Sequence, residues 1–377
     1  MGTSEQRLTL GLPRIRNETG EVRDFLPVLA RDAVEMGAEV WIETGYGSGM
    51  GHRDEDYLSS SSHIHAAGRE AAFACDIVLM LRPSDDALDL LRSGTTFVSM
   101  LHFPTHTERV RQLKELGIEA VGLDLIVDDE GERLVENMKA VAWNGLDTAF
   151  ALVERIRPDF AFIDRAPTRV TIVGAGMVGK HAVEAATKFG SLKRSNLYRE
   201  RGGSSGVEVT TVGRNLSRNE TYMRHRLIST DVLVDATRRS DPSQPVIPNA
   251  WLGWLPEKAV IVDLSVDPYL LEESPPVVRG VEGVPKGDLD QYVFSPDDPA
   301  WKLLPPSVPV LNRRWVVSCY AWPGIFPIEC MERYGHQIEP LLHELVHRGG
   351  ARFLRSDGGY FERALQRASL TQWIDKI

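Results

Sequence analysis

Cysteine is scarce in this sequence, with only Cys75, Cys319 and Cys330 in 377 residues. An odd count at these spacings gives neither a disulfide framework nor a zinc ligand set. Cys75 precedes the apolar run Ile77–Leu81 and reads as a core thiol at a strand start, while Cys319 and Cys330 flank a Pro-Gly turn and read as packing residues. The ten histidines are scattered. His63 and His65 stand at an i, i+2 spacing that suits a strand rather than a metal-binding helix, so no metal site is expected. Long apolar runs are also missing: no stretch approaches the roughly 18 residues of a membrane span. The opening Met-Gly-Thr-Ser-Glu-Gln-Arg lacks the apolar region of a signal peptide, so a soluble, cytoplasmic protein is expected. Positive charge is in deficit, with a formal net charge of −10 and no basic run. That balance argues against nucleic acid or an anionic membrane as the main partner and in favour of a small molecule. A homo-oligomer remains compatible with it.

What is present is an ordinary globular composition, 42% hydrophobic and 25% charged, in a chain too long for one core. Two domains are therefore expected. Short apolar runs alternate with amphipathic stretches: Leu8–Leu12, a helix near Val28 to Met36, Glu39–Glu43, Ile77–Leu81, Thr96–Leu101, a helix near Glu108 to Leu116, and Glu119–Asp124. This is an α/β pattern with a parallel sheet. From Asn137 to Arg157 the apolar spacing predicts one long helix stopped by Pro158. Strand candidates resume at Arg169–Val173, Val207–Val212, Val232–Asp235 and Ala259–Leu264. The polar insert Ser191 to Gly206 reads as a surface excursion whose basic residues could reach a nucleotide phosphate. The tail carries helices near Met331 to His347 and Tyr360 to Gln372 and is expected to return to the first domain. The predicted architecture is α/β with two Rossmann-like domains. A doubly wound nucleotide-binding domain (137–304) is inserted in a discontinuous α/β substrate domain (1–136 and 305–377).

The most specific motif is Gly174-x-Gly176-x-x-Gly179, which follows a β-branched strand and opens a helix at Met177 and Val178. Gly174 permits the tight turn, Gly176 lets the backbone approach a pyrophosphate, and Gly179 lets helix and strand pack closely. The free amides at the helix start face the phosphates. In this fold an acid at the end of the second strand selects NAD. Here that strand ends Val212-Gly213-Arg214, with no acid and one arginine, so NADP is favoured over NAD. A solvated Arg214 and an enzyme using NAD without the acid is the alternative.

Several further motifs occur in order: Gly11-Leu-Pro13 with Glu18, Glu21, Arg23 and Pro27; Gly37-Ala-Glu-Val-Trp-Ile-Glu43 with Gly45, Gly47 and Gly49; Leu79-Met-Leu-Arg82-Pro83; Ser99-Met-Leu-His102; Val262–Asp267; and Tyr320–Pro327. Together with the glycine fingerprint they resemble the alanine dehydrogenase superfamily, which also holds lysine-forming saccharopine dehydrogenases, carboxyethylornithine synthase and the transhydrogenase alpha subunit. The resemblance covers nearly the whole chain, and the segment Leu123–Arg133 is closer to the saccharopine branch.

The resemblance implies an NAD(P)-dependent oxidoreductase acting on a C–N bond, with a catalytic set of His102, Arg82 and Asp267. Arg23 matches the family's carboxylate-binding arginine, and its fork suits a planar carboxylate. His102 matches the acid/base histidine, a side chain whose ordinary pKa of about 6.5 suits proton transfer near neutrality. Asp267 matches an aspartate near cofactor ribose and substrate. Taken without the family, Arg23 fits a surface arginine, His102 a strand-end histidine, and Asp267 a cap on the turn at Pro268. One departure stands out. Arg82 occupies the place of a family lysine, and arginine stays protonated, so it can hold a carboxylate but cannot act as a base. The expected reaction is a saccharopine- or opine-type reductive condensation of a 2-oxo acid with an amine. Alanine-dehydrogenase-type amination with ammonia, or a nucleotide-binding redox sensor without turnover, are the alternatives.

Overall fold

The computed structural model describes residues 7–374 apart from 17, 84, 161 and 240. The chain divides into two compact units: Met1–Asn137 with Phe326–Ile377, and Met138–Ile325. The sheet of the first unit contains β1 (Thr9–Leu12), β2 (Glu39–Glu43), β3 (Ile64–Ala67), β4 (Ile77–Leu79), β5 (Thr96–Ser99) and β6 (Glu119–Gly122). They lie in the order β3-β2-β1-β4-β5-β6, every pairing parallel. A parallel sheet is covered on both faces, so its central strands bury consecutive residues, as Ile77–Leu79 and Thr96–Ser99 do. Helix Pro27–Glu35 begins on a proline, whose missing N–H costs nothing there. It ends where Gly37 takes φ +102°, with the Gly37 and Ala38 amides bonded to Val34 and Ala33 carbonyls.

The C-terminal tail completes this unit. Helix Pro327–Arg348 contributes Met331, Ile338, Leu341 and Leu345 to the same apolar core as Leu29 and Ala33. Ser369 bridges to Val121 of β6. Fully buried Glu362 accepts from Arg348 Nη2 at 2.7 Å and from the Arg355 amide at 2.9 Å, tying the last helices together.

The second unit contains β7 (Thr168–Val173), β8 (Val207–Val212), β9 (Val232–Asp235), β10 (Val260–Asp263), β11 (Val293–Phe294) and β12 (Trp315–Ser318). The order is β11-β12-β10-β9-β7-β8, parallel except for β11. Helix Met138–Ile156 packs Ala142, Leu146 and Ala149 into the core shared with helix Met177–Thr187.

One sequence expectation is corrected here. The second unit does not stop at 304, as the sequence led us to expect: Trp315–Ser318 pairs with β10 from Val260↔Trp315 onward, so the return begins at Phe326. The proline-rich stretch near Pro305 resembles a boundary, but the chain adds another strand after it. The Ser191–Gly206 insert lies at the surface as expected, and within it Leu192–Glu200 is helical, started by Ser191 Oγ accepting from the Arg194 amide. Arg194 is committed to Asp147 Oδ1 at 2.7 Å and Glu154 Oε2 at 3.2 Å, away from any phosphate role.

Candidate active site

Open α/β sheets bind ligands outside the carboxyl ends of their strands, at the point where strand order reverses. In the first unit that point lies between β1 and β4, and the sequence places Arg23 after β1, Arg82 after β4 and His102 after the adjoining β5. The fold thus brings all three to one sheet edge. Arg23 is not an open fork. It is buried, its Nε and Nη2 donate to the two oxygens of Glu21 at 2.8 and 2.5 Å, and its Nη1 points to Cys330 Sγ at 3.7 Å. Burial works against the Glu21 charge, but Arg23 and then Arg82 hold its pKa below the ordinary value. Arg82, a quarter exposed, donates from Nε to Glu18 Oε2 at 2.8 Å. The edge therefore carries an alternating set of two cations and two carboxylates.

Beside it, Asp24 is buried and accepts the Gly47 amide at 2.8 Å. Burial pushes its pKa up to about 7, against the pull of that amide and of Arg14, and Glu21 and Glu43 add to the rise. The native state thus keeps a proton that the unfolded chain releases near pH ~4. Stability should fall as pH rises from about 4 to about 7 and then level off. Asp24→Asn should flatten this fall. Melting temperatures at pH 5 and pH 8 check it, and an equal fall in both proteins would remove Asp24 as its source.

His102 has φ +48° and ψ +48°, a left-handed conformation uncommon outside glycine. Its amide donates to Asp124 Oδ1 at 3.2 Å, and its Nδ1 lies 3.3 Å from Asp124 Oδ2. Burial would raise Asp124, but the imidazole and Arg133 hold its pKa down at about 2. One carboxylate thus fixes both the strained backbone and the ring of a residue whose side chain is 45% accessible. Strain of this kind concentrates at working sites. Asp124 is the residue that sequence reasoning missed. It lies within the quoted segment Leu123–Arg133, but its pairing with His102 spans 22 positions.

In the second unit the reversal lies between β7 and β9, where the glycine turn sits. Gly174 has φ +106°, and a Cβ there would meet the Ala236 carbonyl oxygen at 2.4 Å. A Cβ on Gly179 would meet the Gly174 carbonyl oxygen at 2.1 Å, whereas one on Gly176 would meet nothing within 4 Å. Two glycines are therefore demanded by packing and the third faces open space. The helix at Met177 starts without a side-chain cap and without an acid in its first turn, so its first amides are left for an anion. These features open on a cavity of about 710 Å³ lined by Gly174, Gly176, Gly213, Arg214, Arg218, Arg238 and Trp251 among others. Size, glycine contour and cationic lining all fit a dinucleotide.

Asp267 is an ion-paired residue rather than a free carboxylate. Its Oδ2 accepts from Arg239 Nη2 at 2.6 Å, and Arg239, not Asp267, lines the cavity. Burial pushes Asp267 up while Arg239 pulls it down. The preceding Val266 has φ +49°, an outlier for a β-branched residue, held by its amide donating to Asp263 Oδ1 at 2.8 Å. Among the described residues no cluster of three metal-ligating side chains occurs, and no helix is long and apolar enough to cross a membrane.

Comparison with known proteins adds the following. A family model described as the alanine dehydrogenase/PNT N-terminal domain matches residues 20–142. The alanine dehydrogenase of Halomonas elongata is 23% identical over 269 residues, 64% of this chain and 68% of that protein. The alanine dehydrogenase of Bacillus subtilis is 22% identical over 274 residues, 69% of this chain and 71% of that one. Among solved structures, an L-alanine dehydrogenase superposes with a TM-score of 0.71 at 20% identity, covering 98% of this chain and 99% of the other.

Proposed function

We propose that this alanine dehydrogenase-like chain is a nicotinamide-dependent amino-acid oxidoreductase that interconverts a 2-oxo acid plus ammonia with the corresponding amino acid. The observation that carries this reading is the His102–Asp124 pair at the sheet edge that also holds Arg82 and Arg23. A bound nicotinamide dinucleotide would supply or accept the hydride; Gly174, Gly176 and Gly179 with the amides of Met177 and Val178 would hold its pyrophosphate, and Gly213 and Arg214 its adenosine ribose. Arg214 and the missing acid after β8 favour the cofactor with a ribose phosphate.

The chain's own residues then have distinct tasks. Arg82 holds the substrate carboxylate, staying charged throughout. Arg23, with Nε and Nη2 on Glu21 and Nη1 on Cys330 Sγ, assists by holding the Glu21 carboxylate beside Arg82 rather than by offering a free fork. His102 gives or takes the proton at substrate nitrogen or oxygen through Nε2, while ionised Asp124 fixes the ring and stabilises the charged imidazole. Asp267 acts with Arg239 to order the loop after β10 rather than as a free carboxylate.

Two observations favour a second reading, condensation of the 2-oxo acid with an amino-acid amine: Arg82 in place of the family lysine, and the segment Leu123–Arg133 that supplies Asp124. Following NADPH and NADH consumption with pyruvate, 2-oxoglutarate or glyoxylate, each with ammonium, lysine or ornithine, separates the readings. Turnover with ammonium supports the proposal. Turnover only with lysine or ornithine replaces it by the condensation, and cofactor binding without any turnover replaces it by a nucleotide-binding sensor.

A further inference from the structure

The last residue of β9 carries a buried carboxyl group with one oxygen unpartnered. Oδ1 of Asp235 accepts from the Thr237 amide at 2.9 Å and hydroxyl at 2.7 Å, while Oδ2 has no hydrogen-bond partner among the described residues. That oxygen packs so closely on Gly280 that a Cβ there would lie 2.1 Å from it. Strand register sets a second carboxyl group beside the first, since Asp235 pairs with Asp263 of β10. The other charges nearby are Asp267, Arg239 and Arg279, and both arginines are engaged: Arg279 by Asp263 and Arg239 by Asp267. A buried carboxylate with a bare oxygen and an acidic neighbour is costly to ionise, so Asp235 retains its proton. Burial and then Asp263 push its pKa up to about 7, against the pull of the Thr237 donors.

The same register carries Asp235 to the glycine turn. Its partner on β7 is Val173, so it stands one strand spacing, about 5 Å, from the backbone that turns at Gly174. The Ala236 carbonyl oxygen lies 2.4 Å from where a Gly174 Cβ would be, and Ala236 and Thr237 line the nucleotide cavity. An ionised Asp235 would set a poorly screened negative charge beside the segment that receives a pyrophosphate. Resting on the reading of this cavity as a dinucleotide site, we infer that the dinucleotide binds the form in which Asp235 is protonated, so that nucleotide binding and proton uptake at this side chain are coupled. Asp235 is absent from the cavity lining and is therefore a positioning residue, which holds Thr237 and sets the charge behind the turn. The coupling is reciprocal: bound nucleotide strengthens the hold on the proton.

Isothermal titration of the full chain with NAD+, without substrate, tests this. NAD+ lacks the ribose phosphate of NADP+, whose second ionisation near pH ~6 would overlap the effect. The native protein should bind NAD+ ~10-fold less tightly at about pH 8.5 than at about pH 6, the equivalent of one pKa unit. At about pH 8, titrations in buffers of different ionisation enthalpy should show net proton uptake on binding. Asp235→Asn keeps an oxygen for Thr237 but carries no charge, so it should bind equally well at both pH values and take up no proton. On the native protein alone, adding NAD+ at about pH 8 should add a protonated-carboxyl band to the infrared spectrum. An affinity independent of pH, or binding without proton uptake, overturns the coupling. The same fall and uptake in Asp235→Asn, or no new carboxyl band, overturns its assignment to Asp235. If the folded native protein binds neither NAD+ nor NADP+ at any pH, the dinucleotide reading itself fails.

Discussion

His102→Ala is expected to lower kcat for amination of the 2-oxo acid by ~10²–10⁴-fold, the range contributed by a positioned acid/base, while leaving NADPH binding intact. The prediction rests on geometry. The ring is anchored by Asp124 at Nδ1 on a side chain that is 45% accessible, so its removal deletes the proton path without disturbing a core. The melting temperature should therefore hardly change; removing the strained φ +48° side chain deletes no buried packing. Asp124→Asn should also lose kcat, by a smaller factor, because the amide can still receive the His102 backbone N–H but no longer stabilises a charged imidazole. Full activity in His102→Ala would place the acid/base elsewhere.

The second large effect is on stability. Arg279 is fully buried in the second unit, donating from Nη2 to Asp263 Oδ2 at 2.6 Å and Ser318 Oγ at 2.9 Å. These partners stand at the ends of β10 and β12, so one guanidinium pins two strands. Arg279→Met leaves Asp263 buried and unpaired, which should cost ~3–5 kcal/mol, a large part of a domain's total stability. Asp263 also receives the amides of Ser265 and Val266, which hold the strained turn before Asp267. Loss of the arginine should thus disorder that turn as well and weaken nucleotide binding. Adding Asp263→Asn to Arg279→Met should recover part of the melting temperature, because the neutral amide removes the stranded charge while its oxygen still accepts the Ser265 and Val266 amides. A single variant that melts within a degree or two of the native protein would contradict this account.

The sequence made some of this legible and not the rest, for physical reasons. The glycine pattern is local, so Gly174, Gly176 and Gly179 stood out before any fold was known, although the Ala236 carbonyl that leaves no room for a Cβ on Gly174 comes from a distant strand end. The alternation of apolar runs likewise displayed two doubly wound sheets and put Arg82 and His102 at strand ends. Pairings across the chain were not legible. Nothing near Arg23 shows that Glu21 fills its fork rather than facing solvent, and nothing near Asp267 names Arg239, 28 residues earlier, as its partner. The helix Leu192–Glu200 was hidden because its polar, arginine-rich sequence has no apolar stripe; its order comes from Arg194 and Tyr198 bonding to Asp147 and Glu154 of the preceding long helix.

The central claim is that hydride from a nicotinamide reaches the carbon of a C–N bond on this chain. It is tested most directly with NADPH deuterated at the transferable ring position, incubated with pyruvate and ammonium and the native protein. The account predicts alanine carrying one deuterium on its α-carbon, formed in step with cofactor oxidation and slowed by ~10²–10⁴-fold in His102→Ala. Cofactor bound at the glycine turn with no deuterium in any amino-acid product would contradict it.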